Sequence, residues 1–289
     1  MVEKQNHHQI SWSEVSDKLN SLTAVDGGFT KATRGILKLD DGQEVFVKQG
    51  SDPETCKRAQ KEIRVYRFLE SQGYSYTPQL LTTNPDETGF VLSAHLPKDG
   101  WDWKGNWTSK RITKTLEAMD VLSDLKPDGK NSDLFLDKFI NQDSDGWLPL
   151  LNSEQLQQNL FQKLHQLNFD FDLKKESTKS KFIFQDTHLV HNDVRSDNCA
   201  WNKNQNQVCL IDWDWCQIGD RRVDIAATLV DIASSGFDIS PFYSRLNPSA
   251  LHWLVGYWFK SAASPGPQKV RDFQLSSGLK AFELFNLVK

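Results

Sequence analysis

The spacing of apolar residues changes near residue 108, and this change constrains the fold more than any other feature of the chain. Before that point, short apolar runs at residues 35–39, 44–48 and 89–96 are bounded by turn residues, as expected for β-strands. After it, apolar residues recur at helical spacing, which predicts helices over residues 108–125, 154–167, 220–234, 248–263 and 270–288. The sequence therefore predicts a small β-rich part followed by a larger helical part.

One helix is also expected within the β-rich part, because Asp52 can cap a helix start and Pro53 suits the first helical position. The predicted fold class is α+β. An N-terminal lobe, residues 1–95, is expected to hold a small antiparallel sheet and this helix, and a C-terminal lobe, residues 96–289, to be mostly helical. Residues 174–181 are predicted to form an exposed loop.

Charge and hydropathy argue against several classes of protein. The 34 Lys and Arg residues against 38 Asp and Glu give a formal net charge of -4, whereas a general nucleic-acid binder needs a basic face. No apolar run reaches the roughly 18 residues of a membrane span, and no apolar signal core precedes residue 20. The four cysteines form no CxxC pair. We therefore expect a cytoplasmic protein that binds neither nucleic acid nor membrane.

The densest concentration of reactive side chains lies in a β-like island at residues 188–217. A predicted hairpin brings Asp193, Asn198 and Asp212 to one end, and their carboxylate and amide oxygens suit Mg²⁺. Phosphoryl transfer uses such a metal together with a group that orients an attacking hydroxyl. Asp193 can accept the hydroxyl proton, and Asn198 and Asp212 can hold the metal. Any one of these residues could instead cap a turn or a helix, but their joint spacing favours the chemical interpretation.

Two charged residues of the N-terminal lobe indicate the same chemistry. Lys48 continues an apolar strand, and Glu62 falls on the apolar stripe of the next helix. Burying either charge alone is costly, so we expect the two to pair, which leaves Lys48 able to hold nucleotide phosphates. The alternative is that each side chain extends along the surface with its charge in water.

These segments resemble the aminoglycoside phosphotransferase and choline kinase family of small-molecule kinases, which share the two-lobe protein-kinase-like fold. The loop around Asp193 is similar to the family's His-x-Asp-x-x-x-x-Asn motif, residues 210–214 to its Ile-Asp-Trp-Glu-like segment, and residues 219–226 to its Gly-Asp-Pro-x-x-Asp-Leu-Ala segment. The three segments come in the family's order, and the resemblance covers roughly residues 23–235.

The resemblance implies a role for each matching residue. Asp193 would be the catalytic base, and Asn198 and Asp212 the Mg²⁺ ligands. Asp224 would anchor the catalytic loop. Arg195 stands two places after the base, where protein kinases often carry a lysine that reaches the transferred phosphate, so it is a second catalytic candidate. A solvated arginine is the alternative.

The resemblance also implies nucleotide contacts in the N-terminal lobe. Backbone amides around Gly28 and Thr30 could cradle phosphate oxygens, although this segment is not a full G-x-G-x-x-G motif. Main-chain groups near Ala94 and Leu96, at the expected hinge, would hydrogen-bond the adenine edge. The same lobe would supply the pair of Lys48 and Glu62.

Together these features predict an ATP- and Mg²⁺-dependent phosphotransferase that moves the γ-phosphate to a hydroxyl of a small molecule, with GTP as an alternative donor. A second interpretation is a nucleotide-binding module of the same fold that transfers nothing. A protein kinase is not favoured, because Asp-Trp-Asp reaches Gly219 within a few residues and leaves no room for an activation loop. The sequence does not indicate the acceptor or the oligomeric state.

Overall fold

The structure is a computed structural model, and it describes residues 10–25, 31–127, 132–135, 140–179 and 181–289. Contacts within the chain divide it into two compact units. The first unit falls within residues 1–104 and 197–214, and the second within residues 105–196 and 215–289. The division is therefore not a single cut in the sequence, and the lobe boundary at residue 95 stays a prediction.

The order of helices and strands agrees with the β-rich part and the larger helical part predicted from the sequence. The strands are β1 (Thr23–Ala24), β2 (Thr33–Lys38), β3 (Glu44–Gln49), β4 (Leu80–Thr83), β5 (Gly89–Ser93), β6 (Trp101–Asp102), β7 (His188–Val190), β8 (Cys199–Asn202), β9 (Gln207–Leu210) and β10 (Gln217–Gly219). The α-helices are α1 (Trp12–Ser16), α2 (Pro53–Ser71), α3 (Ser109–Asp124), α4 (Trp147–Asn152), α5 (Glu154–Gln166), α6 (Leu173–Ser177), α7 (Arg221–Ser234), α8 (Pro248–Ala263) and α9 (Gln268–Val288).

The first unit is organised around an antiparallel sheet of five strands in the order β1-β2-β3-β5-β4. Strands β2 and β3 are joined by a tight turn in which Gly42 has φ 87°, a conformation that side chains with a Cβ rarely adopt. One face of the sheet buries Leu37, Val45 and Val47 in an apolar cluster that also contains Val15 of α1. The residues that alternate with these along β2 and β3 therefore face the other way.

Helix α2 starts as the sequence predicts. The backbone amide of Thr55 donates to Asp52 Oδ1 at 2.8 Å, and Pro53 occupies the first helical position. The helix buries a stripe that includes Ile63 and Tyr66, and Glu62 lies among these buried residues. A second sheet of the same unit, in the order β6-β8-β9, contains the predicted hairpin of β8 and β9.

The second unit is mostly helical, and α8 packs along α9. Strands β7 and β10 form a short antiparallel ribbon, in which Val190 pairs with Gln217 and His188 with Gly219. The predicted exposed loop at 174–181 is partly wrong, because α6 covers its start and buries Leu173 and Glu176. In the part of the chain that the structure describes, no helix is long and apolar enough to cross a membrane.

Candidate active site

A cavity of about 380 Å³ lies in the first unit, on the sheet face opposite the apolar cluster. Its volume is in the range typical of small-molecule sites. Apolar side chains from three strands and from α2 form much of its wall: Ile36, Phe46, Phe90, Leu92 and Tyr66. Its polar lining includes four residues predicted from the sequence: Lys48, Glu62, Asn198 and Asp212. The cavity thus has both an apolar wall and a charged part.

Lys48 contacts two carboxylates at once. Its Nζ donates to Glu62 Oε1 and, at 2.7 Å, to Asp212 Oδ1. Lys48 and Glu62 are 8% and 1% exposed, so both charges are removed from water. The pairing expected from the sequence is therefore present, and the alternative of two solvated side chains does not describe this structure.

Burial and charge act in opposite directions on this cluster. Burial lowers the pKa of Lys48, but the charges and hydrogen bonds of Glu62 and Asp212 together outweigh it, so the pKa of Lys48 is raised above its ordinary value. Burial is also the main influence on Glu62 and raises its pKa, while the adjacent ammonium opposes the rise. Lys48 therefore remains charged and available to an anionic ligand.

The hairpin of β8 and β9 explains why Asn198 and Asp212 lie together. Cys199 pairs with Leu210, so Asn198, just before β8, and Asp212, just after β9, are at the same end. The amide of Ile211 donates to the carbonyl of Asn198 at 3.0 Å and closes this end of the hairpin. Asp212 has φ 68°, a left-handed conformation that Asp tolerates better than most residues with a Cβ.

Asp214, two residues further on, is buried and paired with an arginine of α2. Its Oδ2 accepts from Arg58 Nη1 at 2.8 Å, and Arg58 also donates to Glu54 at 2.7 Å. The other oxygen, Oδ1, is buried without a hydrogen-bond partner in the described part of the chain. Burial, and then the charge of Asp212, raise the pKa of Asp214, while Lys48 and Arg58 oppose the rise.

The oxygen donors at this end of the hairpin fit Mg²⁺. Within the described residues, no group of three or more His, Cys, Asp and Glu side chains is placed to hold a metal ion by itself. Asn198 and Asp212 nevertheless line the same cavity with one amide and one carboxylate. Mg²⁺ commonly takes only one or two protein oxygens and completes its shell with water and substrate phosphates.

The predicted nucleotide contacts of the main chain have different outcomes. Leu96 lines the cavity, together with Ser93 and His95, whereas Ala94 is not among its lining residues. Neighbouring carbonyls are already engaged: His95 accepts from Trp103 Nε1 at 2.6 Å, and Leu96 accepts from the amides of two later residues. The predicted phosphate contacts at Gly28 and Thr30 lie outside the described residues.

The second unit holds the loop that carries Asp193. Asp224, in the first turn of α7, accepts from the backbone amides of His191 at 3.1 Å and Asn192 at 2.9 Å. Asn192, with φ 64°, also donates its side-chain amide to the carbonyl of Trp215 at 3.1 Å. These bonds confirm that Asp224 anchors the loop, as the resemblance implied. Burial raises the pKa of Asp224 to about 6, against the opposing effect of the two amides.

Arg195 lies against the predicted base. Its Nε is 2.8 Å from Asp193 Oδ1, and its Nη2 donates to Oδ2 at 3.2 Å. The guanidinium also lies 5.7 Å from the centre of the Phe273 ring. Tyr257 is half-buried nearby, and desolvation followed by the charge of Asp193 raises its pKa. Arg195 is therefore an ordered, paired side chain in this structure.

Three arginines next to the predicted site residues were not identified from the sequence. Arg111, fully buried in α3, donates to the carbonyl of Ser196 at 3.4 Å and so supports the end of the Asp193 loop. Arg58 pairs with Asp214, and Arg34 lines the cavity. Only Arg34 had a signal in the local sequence. It stands three positions before Leu37 in β2, and this odd spacing places the two residues on opposite faces of the strand.

The model of the phosphotransferase enzyme family (APH) matches residues 21–247. Comparison with curated proteins finds no match.

Three solved structures of kinases or phosphotransferases resemble the chain at low sequence identity. A choline kinase, LicA from Streptococcus pneumoniae, is 13% identical with a TM-score of 0.57, over 94% of this chain and 98% of that chain. The phosphotransferase APH(2")-IIa, in a ternary complex with streptomycin and ATP, is 15% identical with a TM-score of 0.52, over 99% of both chains. An ethanolamine kinase of Plasmodium vivax is 11% identical with a TM-score of 0.52, over 90% of this chain and 82% of that chain.

These similarities confirm the predicted protein-kinase-like α+β fold. The match to the family model extends over most of the chain and includes the segments around Lys48, Asp193 and Asp212. The protein therefore belongs to the phosphotransferase enzyme family.

Proposed function

We propose that this protein is an ATP- and Mg²⁺-dependent phosphotransferase that moves the γ-phosphate of the nucleotide to a hydroxyl group of a small molecule. GTP is the alternative donor. The observation that carries the proposal is the contact of Lys48 with both Glu62 and Asp212 in a cavity with an apolar wall. A nucleotide has the same division into an apolar base and a charged phosphate chain.

The cavity offers a place for each part of the nucleotide. The base would lie against Ile36 and Phe46, with main-chain groups near Ala94 and Leu96 along its edge. Lys48 would hold the α- and β-phosphates, and Glu62 would keep its ammonium in position. The backbone amides of Gly28 and Thr30 would supply further phosphate contacts.

The charge of the cavity supports a requirement for a divalent cation. Its described lining carries three cationic and three carboxylate side chains: Arg34, Lys48, Lys104, Glu62, Asp197 and Asp212. These charges cancel, so the lining alone offers little net attraction to a triphosphate. Asn198 and Asp212 would hold Mg²⁺, which would supply the missing positive charge beside the phosphate oxygens.

Asp193 would act on the acceptor. Its carboxylate would accept the proton of the acceptor hydroxyl as that oxygen bonds to the γ-phosphorus, while the bond from the γ-phosphorus to the bridging oxygen breaks and ADP leaves. Arg195, now paired with Asp193, would neutralise charge on the transferred phosphoryl oxygens. The anchoring of the loop by Asp224 would hold the base in place.

Two measurements on the full chain test this proposal. The first is calorimetric titration with ATP and ADP, with and without Mg²⁺. The second is a screen for ATP consumption across aminoglycosides, choline, ethanolamine and sugars, with the Asp193→Asn variant as the blank. Turnover with one acceptor class that is lost in the variant supports the transferase. Mg²⁺-dependent binding without turnover on any acceptor favours the nucleotide-binding module, and the absence of nucleotide binding contradicts both.

A further inference from the structure

Two rows of side chains cross the cavity face of the five-stranded sheet. In one row, Ile36 of β2, Phe46 of β3 and Leu92 of β5 are cross-strand partners. In the other, Arg34 is opposite Lys48. Strand residues two apart are separated by about 7 Å, so an apolar row and a row containing two cations lie side by side.

The side chain of Arg34 is committed to this face. Residues along β2 alternate, and Leu37 belongs to the apolar cluster on the opposite face. Arg34 and Ile36 both line the cavity, as alternation requires. A shift of register by one residue would bury the guanidinium in the cluster and expose Leu37, so the hydrophobic pattern itself holds Arg34 in the cavity.

Two cations directly opposite each other on neighbouring strands repel and destabilise the sheet. Lys48 already contacts the carboxylates of Glu62 and Asp212, so its own positive charge is compensated. Arg34 is therefore a second cation on the cavity face, directly across the strand pair from the lysine that would hold the phosphates. Such an arrangement is useful where an anionic ligand lies against both side chains.

We infer that Arg34 binds the phosphate chain of the nucleotide beside Lys48. This inference rests on the proposed nucleotide site and adds to it a second cation from the neighbouring strand. A guanidinium can give two parallel hydrogen bonds to phosphate oxygens, which the ammonium of Lys48 cannot do. Arg34 thus selects ligands that carry phosphates, while the apolar row accommodates the base.

The test compares ligands that share the base and differ in the phosphates. The full-length Arg34→Met variant keeps much of the apolar stem and loses the charge. We expect its affinity for ADP, measured by calorimetry in Mg²⁺, to fall ~10-fold or more, in keeping with the loss of charge-assisted hydrogen bonds. Its affinity for adenosine should stay within about 2-fold of the parent protein. Arg34→Lys should restore part of the ADP affinity, because it restores the charge without the planar fork.

The matched control is Lys38→Met, which removes the same charge at the exposed end of the same strand. It should change neither affinity. If Arg34→Met binds ADP as tightly as the parent protein, the inference is wrong while the nucleotide site stands. If ADP and adenosine weaken equally, Arg34 shapes the wall and does not contact phosphate, which also overturns it. If the parent protein binds no nucleotide, the proposed function fails together with the inference.

Discussion

Arg58 of helix α2 and Asp214 form an ion pair in which Nη1 lies 2.8 Å from Oδ2. One turn along the same helix, Glu62 contacts Lys48, and Lys48 contacts Asp212. Helix α2 is therefore joined to the segment after β9 by two neighbouring links, one direct and one through Lys48. A displacement of the helix would have to disturb both links, so the position of Lys48 depends on residues that would not touch phosphate.

Removing the direct link should destabilise the protein. In the Arg58→Met variant the buried Asp214 carboxylate loses its cation, and its pKa, already raised by burial, should rise further. Because one partner is buried and the other only half-buried, we expect the free energy of unfolding at pH 7 to fall by about 1–3 kcal/mol. Urea denaturation measures the loss.

The matched control for this variant is on the same helix. Arg67 pairs with Glu87 in a solvent-exposed position, so Arg67→Met should cost less than about 1 kcal/mol. Replacing Asp214 by Asn in the Arg58→Met background should recover part of the stability, because the buried charge is removed. Equal losses of unfolding free energy in Arg58→Met and Arg67→Met would show that burial of Asp214 does not make its ion pair more stabilising than an exposed one.

Asp212→Asn should weaken the response to Mg²⁺. The substitution removes a carboxylate that would bind the metal and that accepts from Lys48. We expect the Mg²⁺ concentration for half-maximal ATP binding to rise ~10-fold or more. The control is Asp197→Asn, which removes the same charge from the lining of the same cavity. A comparable rise in both variants would assign the effect to cavity charge and not to ligation.

Arg195 should contribute to turnover. If its guanidinium neutralises the transferred phosphoryl group, Arg195→Gln should lower kcat ~100-fold with the nucleotide Kd nearly unchanged. Arg195→Lys should retain more activity, since it keeps the charge and loses only the planar geometry. Steady-state kinetics on the acceptor identified by the screen, with nucleotide Kd by calorimetry, separates the two quantities. An unchanged kcat in Arg195→Gln would favour the alternative, a solvated arginine with no part in catalysis.

The helices that sequence patterns predicted well are those with several helical turns or with clear capping residues. The helix predicted over 248–263 coincides with α8, which Asn247 caps and which begins at Pro248. Helix α6 was not predicted, because five residues are too few for apolar periodicity to show. Its N-cap, Asp172, was the one local signal.

Site residues were predictable where an isolated charge would be costly. Lys48 on an apolar strand and Glu62 on an apolar helix stripe each required a partner, and the two are indeed paired. The contact of Arg58 with Asp214 spans 156 residues, and neither side chain stands in a pattern that reveals the other. Such contacts are set by how α2 and the hairpin pack, which local periodicity does not encode.

The stability of the second unit should depend on the protonation of Asp224. Its pKa is about 6 in the folded chain, above the value of 3.8 for an unperturbed aspartate, because burial favours the neutral acid. The folded state therefore binds this proton more tightly than the unfolded state does. The contribution of Asp224 to stability is largest below pH 4 and is lost as the pH rises through 6. The difference amounts to roughly 3 kcal/mol, at about 1.4 kcal/mol per pKa unit.

Denaturation of the parent protein and of Asp224→Asn between pH 4 and 7 measures this effect. The variant keeps one of the two oxygens that accept from the amides of His191 and Asn192 and cannot ionise, so the readout is how the stability difference between parent and variant changes with pH. That difference should shrink as the pH rises. Asp238→Asn is the control, because backbone and side-chain hydrogen bonds from Ser240 lower the pKa of Asp238 from its ordinary value of 3.8. Its contribution is lost only below about pH 4, so the difference for this variant should stay nearly constant across the range. A difference for Asp224→Asn that is flat across the range would show that burial does not favour the neutral acid.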